Sequence, residues 1–233
     1  MKKSILFILL VIISTGLSAQ INMVSKKIFL DSLNHETTSP NFSYTRVITN
    51  YSQKATRYVV TDFYKNGRKK MTGATLDRDI LKKDGEFICY YKNGAKESVV
   101  NYSEDHKSGK EISWYENQSK KWEKQHFWDP KTKKFQTLIL NFWDANKNQT
   151  VVDGNGEYEE TDGSITQKGV IKDGLKEGIW RGNDNARKIS FIDNYNKGIL
   201  ISGISIDEKN VQFSYSSLNE KQNINRGSKL KEN

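Results

Sequence analysis

The chain has 233 residues, a formal net charge of +9, and only 35% hydrophobic residues. So polar a chain is poorly suited to a thick two-layer core, whereas 11% aromatic residues and only 2 prolines argue against disorder. Charges of both signs are interspersed, so the positive balance favours solubility and does not by itself indicate a partner.

Residues 1–19 have the features of a secretory signal peptide. Lys2 and Lys3 precede an apolar run at 5–17, and Ala19 supplies a small residue for cleavage. The run is short for a bilayer span, and an uncleaved anchor is the alternative. We therefore predict an exported protein, periplasmic or extracellular, with no transmembrane anchor after cleavage. Nucleic acid is not expected as a partner of an exported chain.

Residues 20–57 form a lead-in segment before the repetitive sequence begins. The stretch SKKIFLDSLN at 25–34 is compatible with either a strand or a short helix. The stretch FSYTRVITNY at 42–51 is rich in aromatic and β-branched residues and predicts a strand.

A related octet then occurs three times, as FYKNGRKK at 63–70, YYKNGAKE at 90–97 and WYENQSKK at 114–121. Self-similarity at such a spacing indicates a repeat array. Each octet predicts a β-hairpin, because Asn-Gly between strand-like runs favours a two-residue type I′ turn. The predicted turn residues are Asn66, Gly67, Asn93, Gly94, Asn117 and Gln118.

Two further expectations follow from such a turn. Since Gln118 replaces glycine and glutamine tolerates positive φ poorly, the third turn should be weaker or of another type. The second aromatic residue of each octet should face a lysine whose stem covers the ring, which suits a largely single-layer sheet. The predicted pairs are Tyr64–Lys69, Tyr91–Lys96 and Tyr115–Lys120.

The second half of the chain also predicts short strands and turns. Glycines punctuate apolar runs in DGNGEYEETDG at 153–163, GVIKDGLKEGIWRG at 169–182 and FIDNYNKGILISG at 191–203. Residues 204–218 predict one more strand, and the polar, basic segment 219–233 predicts a disordered tail. Residues 58–218 therefore predict one all-β domain, a meander of repeated antiparallel hairpins in an extended sheet.

The octets and the GxxxxGxxxGxW run at 169–180 resemble MORN-variant repeats. Such repeats occur in a bacterial family labelled as antitoxins and in exported envelope proteins, and the resemblance covers about 60–203. The order of signal peptide, octets, DGNGEY and YNKGILISG is also similar to the N-terminal halves of TonB-like energy transducers. The segment 219–233 lacks the proline-rich entry to a TonB domain, so the second resemblance implies at most common ancestry.

Little in the sequence indicates catalysis, a cofactor or a metal. His35, His106 and His126 share no metal-ligand spacing, and each is interpreted as a surface residue. Asp144-x-Asn146-x-Asn148 begins like a calcium loop but lacks its glycine and bidentate glutamate, so it predicts a turn. The acidic cluster at 157–162 is not expected to border a pocket that could tune a catalytic carboxyl group.

The best candidate binding surface is aromatic and basic. Rings beside cations can stack on sugars or anchor a protein partner, and the alternative is that the rings hold the sheet together. The leading hypothesis is a non-enzymatic envelope scaffold or binding module for a protein or glycan. An antitoxin-like partner of a toxin and a remnant of a TonB-associated protein are the alternatives. The candidate residues are Trp114, Tyr115, Lys120, Lys121, Trp122, Lys124 and Trp128.

Overall fold

The computed structural model describes residues 24–52 and 55–216. In these ranges the protein is all-β, with 16 antiparallel strands in one open sheet and no helix. The strands lie in the sheet in chain order, so each one pairs with its sequence neighbours. The predicted all-β meander is confirmed. The predicted signal peptide and the tail 219–233 lie outside the described residues.

The first half of the sheet is formed by the lead-in segment and the part of the chain that contains the octets. Its strands are β1 Lys26–Leu30, β2 Tyr44–Thr49, β3 Tyr58–Tyr64, β4 Lys69–Thr75, β5 Lys83–Tyr90, β6 Lys96–Ser103, β7 His106–Trp114 and β8 Lys120–Asp129. The second half contains β9 Lys134–Trp143, β10 Gln149–Val152, β11 Asn155–Asp162, β12 Ile165–Lys172, β13 Leu175–Asp184, β14 Ile189–Asn196, β15 Ile199–Ile206 and β16 Gln212–Ser216.

The octets form hairpins, but their turn is not the predicted two-residue type I′ turn. In the second octet, Gly94 N–H donates to the Tyr91 carbonyl and Tyr91 N–H donates to the Ala95 carbonyl, both at 2.8 Å. Gly94 has a φ of 92°, and Asn93 is not among the residues with positive φ. This is a three-residue loop, a type I turn followed by one left-handed residue. The Asn93 side chain supports it by accepting from Ala95 N–H at 2.8 Å.

The longer loop shifts the register by one position, so the predicted tyrosine–lysine pairs are wrong. The lysine of each octet instead faces the first aromatic residue, and the next residue along the strand forms a β-bulge. The observed pairs are Phe63–Lys69, Tyr90–Lys96 and Trp114–Lys120, with bulges at Lys70, Glu97 and Lys121.

The third octet keeps the same turn despite its glutamine. Gln118 has a φ of 67° and donates its N–H to the Tyr115 carbonyl at 2.9 Å, as Gly94 does to Tyr91. The expectation of another turn type is therefore wrong. The same turn recurs at 144–148 and 207–211, where Lys147 and Asn210 take the left-handed position. The turn predicted at 144–148 is thus confirmed, and it is a further copy that the octet pattern did not reveal.

Tyrosine hydroxyl groups connect consecutive hairpins of the first half. The second aromatic residue of each octet donates its hydroxyl proton to the backbone carbonyl of the strand end in the next hairpin. The three bonds are Tyr64 to Tyr90 at 2.8 Å, Tyr91 to Trp114 at 2.8 Å and Tyr115 to Trp143 at 2.9 Å. Burial raises the pKa of all three hydroxyl groups. We call this set the tyrosine ladder.

One face of the sheet is buried, as the alternation in β3 shows at Tyr58, Val60 and Asp62. Two apolar clusters lie on that face, one around Phe87 and one around Trp180. Glycines let aromatic rings lie flat across neighbouring strands, because a Cβ atom at Gly73 or Gly169 would come within 2.5 Å of the Phe87 or Trp180 ring.

The shared turn geometry predicts opposite effects at two equivalent positions. Gln118→Gly should stabilise the protein by about 0.5–1 kcal/mol, because it relieves a left-handed non-glycine residue. Gly94→Val should destabilise it by about 1–2 kcal/mol through φ alone, since its Cβ would meet only Arg68 atoms at 3.8 and 4.0 Å. Urea midpoints of both variants measure these effects. A neutral or destabilising Gln118→Gly would contradict the equivalence of the turns.

The tyrosine ladder predicts that Tyr91→Phe lowers the free energy of unfolding by about 0.5–1.5 kcal/mol, because it removes one hydrogen bond and little else. Tyr90→Phe is the matched control, since the Tyr90 hydroxyl group makes no hydrogen bond among the described residues. Urea denaturation of the two variants checks the prediction. Equal stability of the pair would show that the ladder contributes nothing.

Candidate functional site

Part of the predicted binding surface lines a pocket of about 610 Å³, which we call the Trp122 pocket. Tyr115, Lys121, Trp122 and Lys124 were predicted from the sequence. The other lining residues come from β9, the turn after it, and β11. The full lining is Tyr115, Lys121, Trp122, Lys124, Phe142, Asp144, Ala145, Asn146, Tyr158, Glu159, Glu160, Thr161 and Asp162.

The other three predicted residues do not line this pocket. Lys120 places its Nζ atom 5.1 Å from the centroid of the Trp143 ring, and Trp114 is covered in the same way by Lys96 at 5.5 Å. Trp128 is 50% exposed and meets Phe135 edge-on, with ring centroids 4.9 Å apart. The predicted surface is therefore split between the pocket and separate ring contacts within the sheet.

Two lysines cover the indole ring at the centre of the pocket. Lys121 Nζ lies 4.6 Å and Lys124 Nζ 4.3 Å from the Trp122 ring centroid. Lys121 also lies over Tyr115 at 5.3 Å, and Lys124 over Tyr158 at 5.8 Å. The bulge at Lys121 explains this arrangement, because it breaks the alternation and brings Lys121 and Trp122 to the same pocket.

Neither lysine has a carboxylate within 4 Å among the described residues. Burial lowers the pKa of both ammonium groups. The nearby acids are already engaged: Glu160 binds Lys176 at 3.0 Å, and Glu111 accepts from three other donors. The pocket therefore presents two partly desolvated cations that form no ion pair with a described carboxylate, beside a rim that carries Asp144, Glu159, Glu160 and Asp162.

Glu111 lies at the centre of a buried polar cluster beside the pocket. It accepts from His126 Nε2 and Lys107 Nζ, both at 2.7 Å, and from Trp122 Nε1 at 3.3 Å. Burial opposes ionisation of this carboxyl group, but the bonds from His126 and Lys107 outweigh burial and lower its pKa from 4.5 to about 2. The bond to Trp122 ties the indole ring to this cluster and fixes its position in the pocket.

The interpretation of His126 as a surface residue is wrong, since only 6% of it is exposed. Its Nδ1 atom lies 2.8 Å from Thr137 Oγ1, so both ring nitrogens have partners. His35 and His106 are exposed, as expected. A histidine is buried here because Glu111 and Thr137, on the strands flanking β8, satisfy its polar atoms.

Acidic and aromatic residues at 142–162 complete the pocket, and sequence reasoning missed them. The carboxylates Glu159, Glu160 and Asp162 border it, contrary to the expectation that no pocket lies there. Tyr158 is 2% exposed, and its hydroxyl group has no hydrogen-bond partner among the described residues. Burial and the nearby Glu160 carboxylate raise the pKa of this hydroxyl group well above its ordinary value.

In the described ranges, no group of three or more His, Cys, Asp or Glu residues is placed to hold a metal ion. The same ranges contain no helix long and apolar enough to cross a membrane. No family model matches the chain, and no curated protein matches it.

The low pKa of Glu111 predicts a specific acid sensitivity. A depressed carboxyl pKa contributes stability that is present above about pH 4.5 and is lost as the pH falls towards 2. Glu111→Gln should remove this contribution, which is roughly 3 kcal/mol at most. Urea unfolding of both proteins between pH 2 and 6 measures the difference.

The matched control is Glu157→Gln, which changes an exposed carboxylate that forms no side-chain ion pair among the described residues. This variant should follow the wild-type dependence on pH. A Glu111→Gln variant that also follows it would show that Glu111 does not contribute to acid sensitivity.

Proposed function

We propose that the protein is an exported, non-enzymatic binding module and that the Trp122 pocket is its ligand site. The single observation that carries the proposal is the pair of lysines, Lys121 and Lys124, which border one pocket and have no carboxylate within 4 Å among the described residues. Export is supported by the signal-peptide features of residues 1–19. The proposed partner is a protein or glycan of the envelope.

The free-energy cost of burying unpaired charges supports a binding role for the two lysines. Partly buried charges are ordinarily paired, since burial without a partner costs free energy. The rigid frame around the pair also favours binding, because Tyr115 is fixed by its bond to the Trp143 carbonyl and Trp122 by its bond to Glu111. A pre-formed site loses little entropy when a ligand binds.

The proposal also fits the size of the pocket, which lies in the range of small-molecule and fragment sites. The antitoxin and TonB-related alternatives are supported by sequence resemblance alone. No residue contact described above favours either of them.

Blocking the mouth of the pocket tests the proposal. Ala145 is exposed, lines the pocket and occupies the second position of its turn, where the octets carry Lys65, Lys92 and Glu116. The position therefore tolerates a long side chain. Ala145→Trp should fill the mouth without disturbing the fold and should abolish retention of the mature protein on isolated cell-envelope material, measured by co-sedimentation.

The control is Lys92→Trp, which places the same ring at the equivalent position of the second octet, outside the pocket lining. This variant should be retained like the wild type. Equal retention of both variants, or no retention of the wild type, would overturn the proposal.

A further inference from the structure

We propose that the Trp122 pocket selects a saccharide that carries a carboxylate group, such as a uronate-containing oligosaccharide. This inference rests on the proposed function and names its ligand class. The juxtaposition behind it is a pair of lysines that form no ion pair, beside an indole ring, in a pocket whose rim carries hydrogen-bond acceptors.

The lysines are the groups in the pocket that would attract an anion. Their Nζ atoms lie 4.6 and 4.3 Å from one ring centroid, so a ligand carboxylate beside this ring would be attracted by both charges and could pair with either of them. Glu111 and Glu160 attract Lys124 only through space, since neither carboxylate lies within 4 Å of its ammonium group, and Lys107, His126 and Trp122 donate to Glu111. A ligand carboxylate would supply an ion-pair partner for these ammonium groups and lower the cost of their burial.

The lysines also exclude recognition of a neutral sugar by stacking on Trp122. An aromatic platform for a sugar needs an open ring face, and here two ammonium groups lie over the ring. Trp114 and Trp143 are covered in the same way by Lys96 and Lys120. Charge, not stacking, is therefore the feature that the pocket offers.

The rim suits hydroxyl groups. The side chains of Asn146 and Asp162 border the pocket and have no hydrogen-bond partner among the described residues. Free carboxylate and amide oxygens accept from hydroxyl donors, which a saccharide presents in several directions. The rim carboxylates Asp144, Glu159, Glu160 and Asp162 repel anionic groups, so the favoured ligand places one isolated carboxylate at the lysines and carries it on a neutral, hydroxylated skeleton.

A peptide ligand fits less well. Peptides are commonly read through their backbone, by strand addition at a sheet edge or by capture of a terminus in a loop of N–H groups. The Trp122 pocket is lined by residues of β8, β9 and β11 and of the turns that adjoin them, in the interior of the strand order and away from the sheet edges β1 and β16. The backbone groups of these strands pair with neighbouring strands, so the pocket presents side chains instead.

The test compares two trisaccharides of the same linkage, trigalacturonate and neutral trigalactose, by isothermal titration against the mature protein. Trigalacturonate should bind at least about tenfold more tightly, because only it can pair with the lysines. Lys121→Met and Lys124→Met should each weaken its binding by about tenfold or more, and Lys124→Arg should restore much of it. Urea midpoints confirm that each variant is folded.

Lys96→Met is the matched control, since it uncovers Trp114 outside the pocket and should leave binding unchanged. Triglutamate is the peptide arm and should bind weakly. Equal binding of the two trisaccharides, binding of triglutamate as tight as trigalacturonate, or wild-type affinity in Lys124→Met would each overturn the inference.

The two experiments distinguish failure of the proposed ligand class from failure of the proposed function. If Ala145→Trp abolishes retention on envelope material while trigalacturonate does not bind, the pocket is the site and the ligand class is wrong. If Ala145→Trp changes nothing, the proposed function itself fails.

Discussion

The hydroxyl-to-carbonyl bond of the tyrosine ladder is the contact on which the first half of the sheet depends. Each bond joins a turn to the end of a strand in the next hairpin, and it recurs at Tyr64, Tyr91 and Tyr115. Pairing of strands alone leaves the turns free to splay, because no second layer covers the sheet in the described ranges. The ladder fixes the turns against each other and so fixes the positions of the rings between them.

The Trp122 pocket is a consequence of that order. Tyr115 forms the last bond of the ladder, to the carbonyl of Trp143, and the turn after Trp143 supplies the mouth of the pocket. The bulge after Lys120 then adds Lys121 to the pocket. The same features that stack the hairpins therefore also position the two lysines.

The repeat predicted the hairpins and the meander, because Asn, Gly and alternating aromatic residues act locally. It did not predict the turn type, since the Asn93 side chain bonds to Ala95 N–H and favours a longer loop. The turn at 144–148 was predicted, but its equivalence to the octet turns was not, because Asp144 and Lys147 replace the tyrosine and the glycine.

Only four of the thirteen residues that line the pocket were predicted, for a related reason. Tyr115, Lys121, Trp122 and Lys124 lie within ten residues of one another, so their shared chemistry is visible in the sequence. Phe142 and Tyr158 reach the same pocket because β8, β9, β10 and β11 pair in succession. Composition does not encode this pairing. The burial of His126 was missed similarly, since Glu111 and Thr137 approach it from the flanking strands.

The open meander has a mechanical consequence. Strands β1 and β16 lie at opposite ends of a sheet in which every strand pairs with its chain neighbours. Tension applied between residues 26 and 216 would therefore load the hydrogen bonds of one terminal strand at a time and peel the sheet hairpin by hairpin. A sheet with distant strands paired side by side would instead resist by shearing many bonds together. Under tension this sheet would therefore lengthen in small steps, one hairpin at a time. In its first half, each step would also break one hydrogen bond of the tyrosine ladder.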